Sequence, residues 1–196
     1  MRRPTKPLLL ASLTAAAAAM PGAAQEFPPS CVMCQATYVP AAEIQRFLTI
    51  PQVDQQVRSL DIGKANVQVA IAHRERLEEP GAVAEHSLVT EIYYVLSGGG
   101  TNVLGPELVD AVPRPPTNNA VQRLNGPGHN AAAIRNGRTV ELRPGDVLVI
   151  PAGTGHQFTR IDDHITYLMI RVDPDKVVPL MDEDDARRYL EEQARD

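Results

Sequence analysis

Between Asn66 and Val172 the chain is built of short alternating or β-branched apolar runs punctuated by glycine and proline. A period of two sends alternate side chains to opposite faces of an extended strand, and a helix cannot satisfy it. "NVQVAIAHR" (66 to 74) puts Val67, Val69, Ile71 and His73 on one face. "EIYYVLSG" (91 to 98) is a β-branched and aromatic run stopped by Gly98, Gly99 and Gly100. "RTVELRPGDVLVIPAG" (138 to 153) follows a turn at 135 to 137, and "HQFTRI" leads to "ITYLMIRV" (165 to 172), with Asp162 to His164 predicted as the turn between them. Short strands at this spacing predict an all-β sandwich or barrel.

Two helices flank the strands. "AAEIQRFL" (41 to 48) predicts a short N-terminal helix ended by Pro51, and residues 182–196 predict a capped amphipathic C-terminal helix with an acidic first turn. Residues 105–130 hold "VPRPP", "TNN" and "NGPGHN" and predict a long loop. A loop of that length is either a lid that contacts a ligand or an insertion without a role.

The N-terminus has a different character. Arg2, Arg3 and Lys6 precede the apolar run "PLLLASLTAAAAAM", which ends in "PGAAQ". This pattern predicts a signal peptide over residues 1–24, cleaved after Ala24, and a periplasmic or secreted protein. The run is shorter than the roughly 20 apolar residues that span a bilayer, so stable insertion after cleavage is not expected. Cleavage removes three positive charges and no negative ones, which takes the formal charge from −5 to −8 for residues 25–196. An acidic chain without tryptophan is a poor binder of nucleic acid or of anionic membranes.

Cys31 and Cys34 follow in a C-x-x-C spacing. In an exported chain this pair reads most simply as a local disulfide in an N-terminal arm. A thioredoxin-like redox motif would need a βαβ context, and a structural zinc site would need two further ligands nearby.

His86 and Glu91 are an odd number of residues apart, so on one continuous strand they would face opposite sides. A bend, a bulge or two adjoining strands would be needed to bring them together. Gly98 follows Glu91 after six residues. Downstream, "GDVLVIPAGTGH" contains Gly145, Pro151, Gly153 and His156. These two groups resemble the two motifs of the cupin superfamily: a histidine, four residues, Glu, six residues, Gly; then Gly, five residues, Pro, one residue, Gly, two residues, His. The resemblance spans roughly residues 60–175. It implies a cupin-type jelly-roll barrel at 60–175, preceded by an arm at 25–59 and followed by a helical tail at 176–196.

The resemblance also implies that His86, Glu91 and His156 converge in the barrel. Two imidazoles and one carboxylate suit a divalent transition metal (Fe, Mn, Ni, Zn or Cu) better than Ca²⁺ or Mg²⁺. The chain departs from the family at Ala84, where the first motif has a further histidine, and at Arg160, where the second ends in Asn. Ala84 leaves either a three-ligand centre or a binding cavity that has lost its metal. His73 is a possible substitute ligand or a partly exposed strand-end residue. Taken singly, Glu91 could instead pair with Arg74 or Arg160. Strand parity places Tyr93 with Glu91, and Arg160 with His156. Tyr93 and Arg160 are therefore the candidate catalytic side chains, a proton donor and an anion clamp. His129 and His164 are expected at the surface, in a loop and a turn. The implied function is a metal-dependent enzyme acting on a small oxygenated organic molecule, by oxygenase-like, isomerase or lyase chemistry. The alternative is a periplasmic small-molecule-binding protein without turnover. Either is expected to be a homodimer.

Overall fold

The computed structural model describes residues 27–32 and 34–193. The expected signal peptide at 1–24 lies outside the described residues. Cys31 and Cys34 are disulfide-bonded, with 5.8 Å between their Cα atoms. Helix α1 spans Ala41–Phe47 and helix α2 spans Glu183–Gln193. Asp182 caps α2, its carboxylate accepting from the Asp185 N–H at 2.9 Å. Among the described residues no helix is long and apolar enough to cross a membrane.

The remainder is β-structure. The strands are β1 (Asp54–Asp61), β2 (Asn66–Leu77), β3 (Val83–His86), β4 (Thr90–Gly98), β5 (Gly100–Gly105) and β6 (Glu107–Val109). They continue with β7 (Val112–Pro113), β8 (Gly128–Ala131), β9 (Ala133–Arg135), β10 (Arg138–Leu142), β11 (Val147–Ile150) and β12 (Gly155–Asp173). All pairings are antiparallel. One sheet runs β1-β2-β12-β4-β11. The other runs β10-β5-β12-β3-β8-β7. β6 and β9 form a small separate pair. Because β12 belongs to both sheets, the two layers close into a barrel, which the short strands predicted as a sandwich or barrel and the cupin resemblance implied as a jelly roll.

Several local expectations need correction. Asp162 to His164 is not a turn. Ile161 and Ile165 are both buried on either side of it, and β12 carries a bulge there instead of ending. That places His164 in β12, and His129 lies in β8 rather than in a loop. β1 begins at Asp54, inside the stretch expected as an arm, and pairs along its length with β2. The 105–130 segment is not one loop. It contains β6, β7, the start of β8 and a π-helical turn at Ala120–Leu124.

The apolar face read from β2 is its outer face. Ile71 packs there with Phe47, Ile50, Val57, Ala186 and Leu190, beneath α1 and α2. The inner face of β2 carries Gln68, Ala70 and Ala72, opposite Arg171, Met169 and Tyr167 of β12. Ala70 and Ala72 leave room for Tyr93, Phe158, Tyr167 and Met169, which fill the barrel. At the end of β4, Gly98 adopts φ +69°, and a Cβ there would lie 1.9 Å from the His164 carbonyl oxygen. Only glycine fits that crossing.

Candidate metal centre

The odd spacing of His86 and Glu91 is resolved by strand placement. His86 ends β3 in one sheet, and Glu91 is the second residue of β4 in the other. The three residues between β3 and β4 cross between the sheets, so parity along a single strand no longer applies. His156 is the second residue of β12 and pairs with Ala84 of β3. The turn after Pro151 brings the second motif onto the first, and the Gly153 N–H donates to the His86 carbonyl at 2.8 Å.

The three predicted ligands therefore meet. His86 Nε2 lies 3.5 Å from Glu91 Oε1, and His156 Nε2 lies 3.7 Å from Glu91 Oε2. One ligand atom from each residue falls within 4.8 Å of the others. All three side chains are buried.

The surroundings fix the charge states. Burial alone would raise the Glu91 carboxyl, but His86, Arg171 and His156 hold it well below the usual carboxylate range. Its Oε1 accepts from Arg171 Nε at 3.0 Å and from Asn125 Nδ2 at 2.8 Å. Its Oε2 accepts from the Tyr93 hydroxyl at 2.8 Å. Burial, followed by the charge of Glu91, pushes the Tyr93 phenol well above its usual value, so it keeps its proton and donates. Burial pushes His156 down to about 4, against the opposing charge of Glu91. His156 is then neutral at neutral pH. Its Nδ1 faces the Thr154 carbonyl at 3.4 Å, which leaves the Nε2 lone pair directed at Glu91. A neutral imidazole and an anionic carboxylate, each with a lone pair turned to the same point, fit a divalent cation.

Arg171 is one of three site residues that the sequence reading missed. It is fully buried and also bonds Gln56 Oε1 at 3.1 Å and the Asp54 carboxylate. Burial works against its charge, and Asp54 and Glu91 outweigh that effect, so it stays cationic. Strand parity could have found it, because Ile165, Tyr167, Met169 and Arg171 share one face of β12. Asn125 and Arg114 were also missed. Both come from the 105–130 segment and reach His86, Asn125 Nδ2 at Nε2 (2.8 Å) and Arg114 Nη1 at Nδ1 (3.2 Å). Nothing in the sequence pattern marks them.

Tyr93 stands where parity placed it. Arg160 does not. A bulge between Phe158 and Arg160 turns its side chain outward, where it is mostly exposed and pairs with Asp162 at 3.0 Å. The anion-clamp role expected of Arg160 falls with that placement. Arg74 binds the Tyr167 hydroxyl at 3.1 Å and lies over the Phe158 ring, away from Glu91. His73 bonds Thr166 Oγ1 at 2.7 Å and stacks on His164 outside the triad. His129 is half-exposed and pairs with Glu85 at 2.7 Å. A cleft of about 400 Å³ lies between β1, the π-helical turn and α2, and its lining includes Asp54, Gln56 and Leu124. Through Asp54 and Arg171 it adjoins Glu91.

The model of the AraC-like ligand binding domain family matches residues 135–195, which include the second motif but not His86 or Glu91. No curated protein matches the chain. Among solved structures, a Bacillus halodurans protein is 16% identical, with 71% of this chain and 83% of that one covered at a TM-score of 0.42. A Bacteroides fragilis cupin protein is 20% identical over 74% and 89%, at 0.35. A cupin-2 domain protein from Shewanella frigidimarina is 16% identical over 64% and 87%, at 0.36. These likenesses are too loose to transfer an activity.

Proposed function

We propose that the chain is a cupin-type protein, exported, that binds a divalent transition metal through His86, Glu91 and His156 and acts on a small oxygenated organic molecule. The observation that carries this reading is the convergence, from two sheets and two separate motifs, of two imidazoles and one ionised carboxylate within 4.8 Å. Iron, manganese, nickel, zinc and copper all suit the donor set. Bound there, the metal would supply a Lewis acid or, as iron, oxygenase-like chemistry.

The chain's own residues prepare that site. His86, Arg171 and His156 together keep Glu91 ionised, and Arg171 bonds its Oε1. Tyr93 holds a proton at the hydroxyl facing Glu91 Oε2 and orients that oxygen. Thr154 sets the ring of His156. Export is proposed from residues 1–24. A homodimer is supported by Tyr94, Leu96, Val147 and Val149, which lie exposed on the outer face of β4 and the edge strand β11.

Elemental mass spectrometry of the exported protein tests the metal reading. About one equivalent of one of these metals is expected in the wild type, and none in His156→Ala. A folded wild type that carries no metal and resists reconstitution would leave the second reading, a small-molecule binder without turnover. Two observations favour that alternative: Ala84 in place of a ligand, and the match to a ligand-binding family.

A further inference from the structure

The position paired with His156 across β3 and β12 is Ala84, which offers no donor. A different side chain reaches the same centre from outside both motifs. Asn125 is 3% exposed, and one terminal atom of its amide lies 2.8 Å from His86 Nε2 and 2.8 Å from Glu91 Oε1. Its backbone is pinned on both sides. The Asn125 N–H closes the π-helical turn on the Ala120 carbonyl at 2.7 Å, and two residues later the Pro127 carbonyl accepts from Ser87, beside His86, at 2.9 Å. Between them Gly126 adopts φ +65°, and a Cβ there would lie 2.5 Å from Val177 Cγ2. The chain is thus held tightly where it delivers the amide, and π-helical turns recur at functional sites.

The hydrogen-bond bookkeeping around His86 is unbalanced. With Nδ2 turned inward, His86 faces Asn125 at Nε2 and Arg114 at Nδ1. Both neighbours are donors, and a neutral imidazole accepts at one nitrogen only. The oxygen and nitrogen of an amide are nearly isosteric, so the opposite orientation has the same shape. With Oδ1 turned inward, Oδ1, His86 Nε2 and Glu91 Oε1 form a triangle with sides of 2.8, 2.8 and 3.5 Å. The two oxygens, 2.8 Å apart, repel one another unless a proton on Nε2 or a metal cation lies among the three atoms, and a cation in place of that proton is shared by all three. Neighbouring donors bound at about 2.1 Å to a tetrahedral or octahedral metal lie roughly 3.0–3.4 Å apart, close to these sides.

We propose that Asn125 is a fourth donor of the metal centre, binding through Oδ1 and supplying what Ala84 does not. This rests on the metal-binding reading of His86, Glu91 and His156. Metal at His86 Nε2 places the imidazole proton on Nδ1, so Arg114 loses that acceptor. Its bonds to Asn130 Oδ1 and the His129 carbonyl, at 2.9 and 3.0 Å, keep it beside the site. The 105–130 segment is then part of the metal centre, and its order and metal occupancy are coupled.

The test is Co(II) affinity, measured by competition with a chromophoric chelator on metal-free wild type, Asn125→Ala, Asn125→Leu, Asn125→Asp and His156→Ala. Asn125→Ala and Asn125→Leu should bind about 10–100-fold more weakly and shift the visible absorption of bound Co(II). Asn125→Asp keeps an oxygen in place, so it should bind within about tenfold of wild type with a similar spectrum. Thermal unfolding of the metal-free forms checks that each variant is folded, and Asn125→Leu preserves side-chain volume should the alanine form collapse. Wild-type affinity and spectrum in a folded Asn125→Ala or Asn125→Leu, with binding lost in His156→Ala, would overturn Asn125 as a donor and leave the triad intact. A folded wild type that binds no Co(II) would overturn both.

Discussion

The two ends of the barrel interior are built on the same strands and filled by opposite chemistry. At one end β4 and β12 contribute Val95, Ile165 and Tyr167, which pack with Leu142, Phe158 and Ile161. At the other end the same two strands contribute Glu91 and Arg171, which meet His86, His156, Asp54 and Gln56. Tyr93 stands at the boundary, its ring 4.3 Å from Tyr167 and its hydroxyl on Glu91. The apolar end is held by area removed from water, which is not directional. The polar end is stable only if every buried charge keeps its partner, so it is specific and brittle.

The largest effect should come from breaking that pairing. Arg171→Met leaves Glu91 and Asp54 buried without their cation and should cost about 3–5 kcal/mol in chemical denaturation. Adding Glu91→Gln to Arg171→Met should recover part of this loss. Ile165→Ala at the apolar end should cost a similar amount, about 2–5 kcal/mol, yet leave metal content unchanged. If Arg171→Met proves harmless, or Ile165→Ala strips the metal, the two ends are not separable in this way.

A pH titration of stability should sharpen the contrast. His156 titrates at about 4 in the folded protein, below the ordinary 6.5. The unfolded chain therefore takes up the proton first as pH falls. Stability due to the neutral ring is complete above pH 6.5 and is lost between about 6.5 and 4, by ~3 kcal/mol at most. Denaturation midpoints of metal-free protein at pH 7.5, 5.5 and 4.5 should show this slope, and His156→Gln should flatten it. An equally steep slope in the variant would assign the effect to another group.

The smallest effect belongs to the boundary. Tyr93→Phe keeps the ring packing and removes one hydrogen bond to a charged group, about 1.5–3 kcal/mol. Metal should be retained, because Arg171 still holds Glu91. Complete loss of metal in Tyr93→Phe would mean that the hydroxyl, not the guanidinium, sets the carboxylate.

Much of this organisation was legible along the chain. Short alternating and β-branched runs gave the strands, and the resemblance of Gly145, Pro151, Gly153 and His156 to the second cupin motif implied the second half of the site. Parity also placed Tyr93 correctly beside Glu91. The same rule failed for Arg160, because a bulge at Thr159 adds one residue to one strand and reverses every face beyond it. No local pattern announces such a bulge. The Asp162 to His164 turn failed for a related reason: three polar residues read as a break, while the buried isoleucines on either side keep the strand running.

The sequence by itself determined which segments are extended and where glycine must stand, because these depend on covalent geometry and short-range sterics; the three candidate ligands came from the resemblance to the two cupin motifs. Only the tertiary structure decided that His86 and Glu91 lie on different sheets, that Arg171 rather than Arg74 or Arg160 holds Glu91, and that Asn125 closes on the same point. These are contacts between residues as many as 80 positions apart. They are set by how two twisted sheets share one strand, and no property of the separate segments encodes that distance.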